Sequence, residues 1–286
     1  MTTGTPWVPS RTRPRELRPV GATTPARRTA ARALAALVML VTVAAGYGLT
    51  VASAFALSPD GLAVNGAAYT DQATVLRSLG LDGGARPNLF ALDGARLAAQ
   101  LRALPAIDGT RADTVSVRVV LPDRLVVELH ERQPIMAWQV GQQRFLADTQ
   151  GVLVAQADVT AAPELPLIAD ARALSARLHV GGQLDAVDLA VARLIGAITP
   201  AMLGSVAEGL EIGVSDDEGY VLRPVHGSWR AVFGIYTTHG RGADLVPEQV
   251  QCLASLLHDR EDNVAVAYLF PEGGRCGTYT RSASAP

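Results

Sequence analysis

Residues 114–134 read TVSVRVVLPDRLVVELHERQP, and the first folded module is read outward from them. Val115, Val117 and Val119 alternate with Ser116 and Arg118, the two-residue period of a strand with one buried face. After Leu121-Pro122-Asp123 a second alternation turns Leu125, Val127 and Leu129 inward, with Glu128 and His130 outward. So short a break predicts a hairpin. Upstream, Asp93 is placed to cap a helix carrying Leu97, Leu101 and Leu104 on one side and stopped by Pro105. Thr70 is placed to cap an earlier helix with Ala73, Leu76 and Leu79 together, ending near Gly80. A short strand from Gly61 to Gly66 completes the order β-α-α-β-β.

Downstream of Pro134 the pattern turns strand-rich. Short strands are expected over residues 135–140 and 144–147, with 151–155 pairing back across the turn Asp148-Thr149-Gln150-Gly151. Residues 184–198 read as an amphipathic helix through Val187, Val191, Leu194 and Ile198. Strands at 210–214 and 220–222 flank the acidic turn Ser215–Gly219, and another strand is expected over 229–235. Pro247 opens a last helix at 248–259, burying Val250, Leu253, Leu256 and Leu257. Residues 264–270 then form the closing strand, and 273–286 read as a frayed end. The fold class is α+β, with two helices on a mainly antiparallel sheet in this second module.

Upstream of the first module, residues 33–57 contain no ionisable side chain except the phenol of Tyr47. At about 1.5 Å per residue such a helix is about 37 Å long, against a hydrocarbon core of about 30 Å. Residues 1–32 hold seven arginines and one acid, Glu16, together with five prolines, and read as a disordered tail. The remainder carries 18 arginines against 26 acids, so the formal net charge of −2 is a basic tail cancelling an acidic body. The basic flank is expected in the cytoplasm and the body outside. Ala52-Ser53-Ala54 also fits a signal-peptidase site, which would release a soluble protein near Ala54. The long apolar run favours an uncleaved anchor. An acidic body argues against a nucleic-acid binder, and two cysteines exclude a disulfide-dense scaffold.

The ordered set of motifs resembles the FtsQ/DivIB family of bacterial cell-division proteins, whose first extracytoplasmic module is a POTRA domain. It rests on Val64-Asn65-Gly66, on Asn88 to Asp93, and on Leu104-Pro105 with Leu121-Pro122. Above all it rests on Glu131-Arg132-Gln133-Pro134 with Trp138, followed by Asp148 to Gly151. Met136 stands where the family usually has alanine. The resemblance implies a tail at 1–32, a transmembrane helix at 33–57, a POTRA domain at 58–131 and a β-domain at 132–286. It implies a non-enzymatic scaffold at the division septum that gathers FtsB/DivIC-like and FtsL-like bitopic proteins and helps control septal peptidoglycan synthesis. The family's lysine shortly before the last helix has no counterpart here, and its role does not transfer.

Catalytic chemistry finds no constellation in the sequence. The five histidines are scattered, and Glu128 and Glu131 point to opposite faces of one strand. No nucleophile elbow, phosphate loop or dinucleotide fingerprint occurs, and Asp216-Asp217-Glu218 lacks the ligand spacing of a calcium loop. No metal, cofactor, nucleic acid or small-molecule substrate is expected. The candidate partner site is the closing strand, Val264, Ala265, Val266, Ala267, Tyr268, Leu269 and Phe270. If it lies at a sheet edge, its backbone can pair with a partner strand. Cys252 and Cys276 fall where they could meet in an oxidising compartment; the alternative is a buried Cys252 and a free Cys276 on a mobile tail.

Overall fold

The computed structural model describes residues 25–84, 86–158, 163–270 and 276–281. The chain divides into two compact units, one ending at Ser53 and one beginning at Ala54. Residues 1–24 lie outside the described residues, as do 273–275 and 282–286 of the expected frayed end.

In the first unit, α1 runs over Pro25–Val51. The stretch from Thr29 to Val51 is long and apolar enough to cross a membrane and is exposed throughout. The helix starts inside the tail expected to be disordered and stops short of residue 57. Two of its hydroxyls are satisfied internally: Thr42 Oγ1 donates to the Val38 carbonyl and Thr50 Oγ1 to that of Tyr47, each at 2.8 Å. In lipid that removes a desolvation penalty.

The second unit opens with β1 (Leu62–Asn65), α2 (Gln72–Ser78), α3 (Gly94–Arg102), β2 (Val115–Val120) and β3 (Arg124–Leu129). The strand order is β1-β3-β2, with β1 parallel and β2 antiparallel to β3. Val75, Leu101, Leu125 and Val127 are fully buried between helices and sheet. Asp93 caps α3, accepting from the backbone N–H groups of Ala95 and Arg96. The cap of α2 is Asp71, which accepts from the Thr74 N–H at 2.8 Å, rather than Thr70. A carboxylate one residue nearer the helix takes the role the hydroxyl was expected to fill.

The distal module is one nine-stranded sheet. Its elements are β4 (Pro134–Val140), β5 (Gln143–Asp148), β6 (Leu153–Ala157), β7 (Leu167–Asp170), α4 (Ala186–Gly196), β8 (Leu210–Ser215), β9 (Gly219–Pro224), β10 (Arg230–Gly234), α5 (Val246–Leu257), β11 (Val264–Tyr268) and β12 (Thr278–Arg281). The strand order is β12-β11-β10-β9-β8-β7-β4-β5-β6. The pairs β4–β7, β7–β8 and β10–β11 are parallel and the other pairings antiparallel. Helices α4 and α5 cover one face, burying Trp138, Phe145, Ile168, Phe233, Val191, Ile195 and Leu253. At the β4–β6 end, Ala137, Leu146, Val154 and Ala155 form a smaller core on the opposite face, packed against Tyr69 of the first module.

Two short strands, β7 and β12, were not expected. β7 has no alternation of apolar and polar residues, because Asp170 is as buried as Ile168. The Asp170 carboxylate accepts from Trp138 Nε1 at 3.0 Å, from Ser175 Oγ at 2.6 Å and from the Arg172 guanidinium. Arg172 reaches on to Asp188 of α4, and Asp188 accepts from the Tyr220 hydroxyl at 2.9 Å. This polar chain fastens α4 to the middle of the sheet. Burial works against ionising Asp170, but the hydrogen bonds from Arg172 and Ser175 together outweigh it and hold its pKa below the usual range.

A pKa depressed on folding adds stability that is complete above the unfolded value and is lost as pH falls through the folded one. Asp170→Asn should therefore cost about 3 kcal/mol near neutral pH, because it leaves Trp138 and Arg172 short of an anion. Urea unfolding of the detergent-solubilised chain between about pH 7 and pH 2 checks this. The substituted protein should lose less stability than the parent at the acid end, and parallel curves would refute the assignment.

Candidate protein-interaction edge

Adjacent residues hold the first module against the second. The Glu131 carboxylate accepts from three successive backbone N–H groups, Ala68 at 2.6 Å, Tyr69 at 2.7 Å and Thr70 at 2.9 Å. Arg132 donates to the Ile107 carbonyl at 3.2 Å, to Asp148 at 2.6 Å and to Gln150 at 3.0 Å. Its head group also lies 3.5 Å from Asp108. Asp148 in turn accepts from the N–H groups of Gln150 and Val152, which shapes the β5–β6 turn. The sequence motifs at 131–134 and 148–151 are therefore two halves of one junction. An open cleft of about 490 Å³ lies over it, lined by Asp108, Arg111, His130, Arg132 and Gln150. Arg132 is already occupied by structural partners, and Arg111 is paired with Asp113 at 2.8 Å.

At the opposite end of the sheet, β11 is not an edge strand. It pairs with β10 through Val266↔Arg230 and Tyr268↔Val232, and with β12 through Val266↔Thr280 and Tyr268↔Thr278. The edge expected of residues 264–270 belongs to β12. The reason is that Thr278–Arg281 form a further strand outside β11, antiparallel to it. Val264, Ala267 and Leu269 are buried in the core, while Ala265, Val266 and Tyr268 are half-buried and Phe270 is exposed. A register shift between Val264 and Val266 moves the alternation by one residue, as a bulge does.

Several contacts hold β12 in place. Cys252 of α5 and Cys276 are joined by a disulfide, with Cα atoms 5.5 Å apart. Gly277 follows directly; a Cβ there would stand 2.6 Å from the Tyr268 carbonyl and 3.1 Å from Cys252 Sγ. Only glycine lets the chain pass so close to both. Tyr279 packs onto the main core beside Cys276, and being opposite Ala267 it faces inward. Thr278 and Thr280 share the outer face with Val266 and Tyr268.

The neighbouring strands are fixed as well. Gln249 of α5 is fully buried, and its amide donates to the carbonyls of Phe233 at 2.8 Å and Leu269 at 2.9 Å. It bridges β10 and the end of β11 where their ladder stops, and also accepts from the Tyr236 hydroxyl. Glu261, just before β11, accepts from Trp229 Nε1 at 2.7 Å and the Val206 N–H at 3.0 Å. On the outer face the Tyr268 and Phe270 rings are nearly parallel, with centroids 6.1 Å apart. The Arg241 guanidinium lies 5.5 Å from the Phe270 centroid. Sequence reading missed Gln249 and Glu261; a polar residue inside an apolar helix face was the available signal for the first.

The two ends of the sheet differ. On β6, the Leu153 N–H donates to the Gly182 carbonyl and the Leu153 carbonyl accepts from Gly181. Val152 also bridges to Gln183, so a loop covers the start of that edge. Among the described residues nothing pairs with the outer side of β12. Its exposed residues are Thr278, Thr280 and Arg281. The described residues contain no group of three histidine, cysteine or acidic side chains placed to hold a metal ion.

A family model described as POTRA domain, FtsQ-type, matches residues 59–132. The cell division protein FtsQ of Chloroflexus aggregans is 26% identical over 179 residues, covering 60% of this chain and 57% of that protein. FtsQ of Rhizobium meliloti is 33% identical over 118 residues, covering 41% of this chain and 35% of its own length. FtsQ of Zymomonas mobilis is 39% identical over 59 residues, covering 21% and 18%. The chain thus matches just over half the length of the first relative and smaller shares of the others. The resemblance read from the ordered motifs holds: the chain carries an FtsQ-type POTRA domain at residues 59–132 and is similar to cell division proteins FtsQ.

Proposed function

We propose that this chain is a non-enzymatic scaffold of the division machinery that captures small bitopic proteins of the FtsB/DivIC and FtsL kind by strand addition to β12. The observation that carries the reading is the open β12 edge, in a chain similar to cell division proteins. Strand addition needs unpaired backbone groups on a rigid edge. Here the disulfide, Gly277 and Tyr279 supply the rigidity. Tyr268 and Phe270 offer an apolar shelf one strand further in, within reach of long partner side chains. Through these partners the chain helps control septal peptidoglycan synthesis.

The proposed topology is single-pass in the cytoplasmic membrane, with the arginine-rich N-terminus inside and residues 58–131 and 132–286 outside as POTRA and β-domain. Support comes from the charge contrast across α1 and from the length of its apolar part, which exceeds a signal-peptide core. An intracellular thiol poise would work against the Cys252–Cys276 bridge, which agrees with an exterior location.

Thr280→Pro removes an N–H on the β11 side, where Thr280 lies opposite Val266, and so loosens the edge strand, whereas Thr280→Val keeps the backbone intact. Co-purification of the full chain with its own FtsB/DivIC-like protein should fall at least about tenfold for the proline variant, or about 1.4 kcal/mol, and stay near normal for the valine variant. Equal capture by both would refute strand addition at this edge.

The bridge closes a sequence separation of 24, and a loop of that size is worth about 3 kcal/mol. Denatured, unreduced protein should expose no reactive thiol, and reduced protein two. Replacing both cysteines by serine should lower the unfolding midpoint and weaken partner capture together. Unchanged capture would show that β12 needs no tether.

A further inference from the structure

Among the described residues of the POTRA domain, the large hydrophobic side chains with substantial exposure are Phe90, Val119, Val120 and Leu121, at 45%, 37%, 39% and 52%. They gather around the start of the domain. Phe90 packs edge-on against Phe55, with centroids 4.9 Å apart. The Leu57 N–H donates to the Pro87 carbonyl and the Ser58 N–H to the Asp123 carbonyl, each at 3.0 Å. Ala56 and Asn88 form a bridge between the same two segments. The β2–β3 turn, the loop carrying Phe90 and the first residues of the unit therefore meet at one pole.

Along the chain, that pole follows directly on the candidate span. The span ends at Val51, and only Ala52, Ser53 and Ala54 separate it from Phe55. Even fully extended, such a tether is about 14 Å long. The polar layer outside the hydrocarbon is roughly 5–8 Å deep on each side.

We propose that this pole is an interfacial foot, with Phe55, Phe90, Val120 and Leu121 entering the boundary between headgroups and acyl chains, so that the partner is the lipid surface itself. The proposal rests on the membrane-anchored reading above. Charge does not carry it: Arg86 and Arg124 are exposed near this pole, but so are Asp60 and Asp82. The attraction comes from apolar area, so the foot seats on zwitterionic lipid and tolerates salt. A short tether with a seated foot holds the domain in one attitude to the membrane rather than letting it swing.

The test places an indole at the hairpin tip of the full chain, using Leu121→Trp in a Trp7→Phe background, reconstituted in phosphatidylcholine vesicles. Trp138 and Trp229 are buried at 0% and 2% exposure and contribute a constant signal. Val206→Trp, at a distal site 91% exposed, serves as the water-facing reference. Lipid brominated near the headgroup should quench the tip indole at least about twofold more than the reference, with shielding from iodide, unchanged at about 0.5 M salt. Phe90→Trp should behave alike and covers the case in which the first variant misfolds. A tip indole as open to iodide as the reference, in protein that resists alkaline carbonate extraction, overturns the foot and leaves the anchor standing. Extraction of the chain by carbonate overturns both. Quenching that needs anionic lipid and vanishes in salt overturns the apolar seating.

Discussion

Buried backbone N–H and C=O groups have to find partners, and among the described residues the nine-stranded ladder leaves open chiefly the outer sides of its two end strands. This constraint organises the module. At β6 the loop through Gly181 and Gly182 takes up part of the demand. At β12 the described residues leave it open while several contacts make the strand rigid. Gln249 and Glu261 extend that rigidity inward by tying β10 and the ends of β11 to their surroundings. A strand held on one side by covalent and packing contacts, and unpaired on the other, loses little conformational freedom when a partner strand arrives. Preorganisation of this kind favours binding without a large interface.

The junction of the two modules follows a related logic. β3 runs almost directly into β4, so a swivel would be easy, yet Glu131 and Arg132 leave little room for it. Glu131 gathers three N–H groups of the 68–70 loop, and Arg132 spans from the Ile107 carbonyl to Asp148. Tyr69 then packs on the small outer core of the sheet. Residues 54–286 consequently form a single compact unit.

Much of this was legible in the sequence, for identifiable reasons. The β2–β3 hairpin and both long helices of the distal module carry strong periodicity, and Asp93 is an unambiguous cap. The resemblance was carried by the residues at 131–134 and 148–151, which the structure brings together as one hydrogen-bonded junction. What escaped was set by tertiary contacts. β7 hides its strand character because Asp170 points into the core, where Arg172, Ser175 and Trp138 compensate it. β12 is a polar four-residue segment whose pairing depends on a disulfide and on Gly277, neither of which leaves a periodic trace. Missing it moved the candidate edge by one strand.

Amide hydrogen exchange on the full chain, with and without the proposed FtsB/DivIC-like partner, tests the central claim most directly. An open edge predicts fast exchange at the outward N–H groups of Thr278–Arg281 in the free protein and slowing by about tenfold or more in the complex, while β6 is unchanged. Exchange at β12 that is slow in the free chain, or unaltered by a bound partner, would contradict the account.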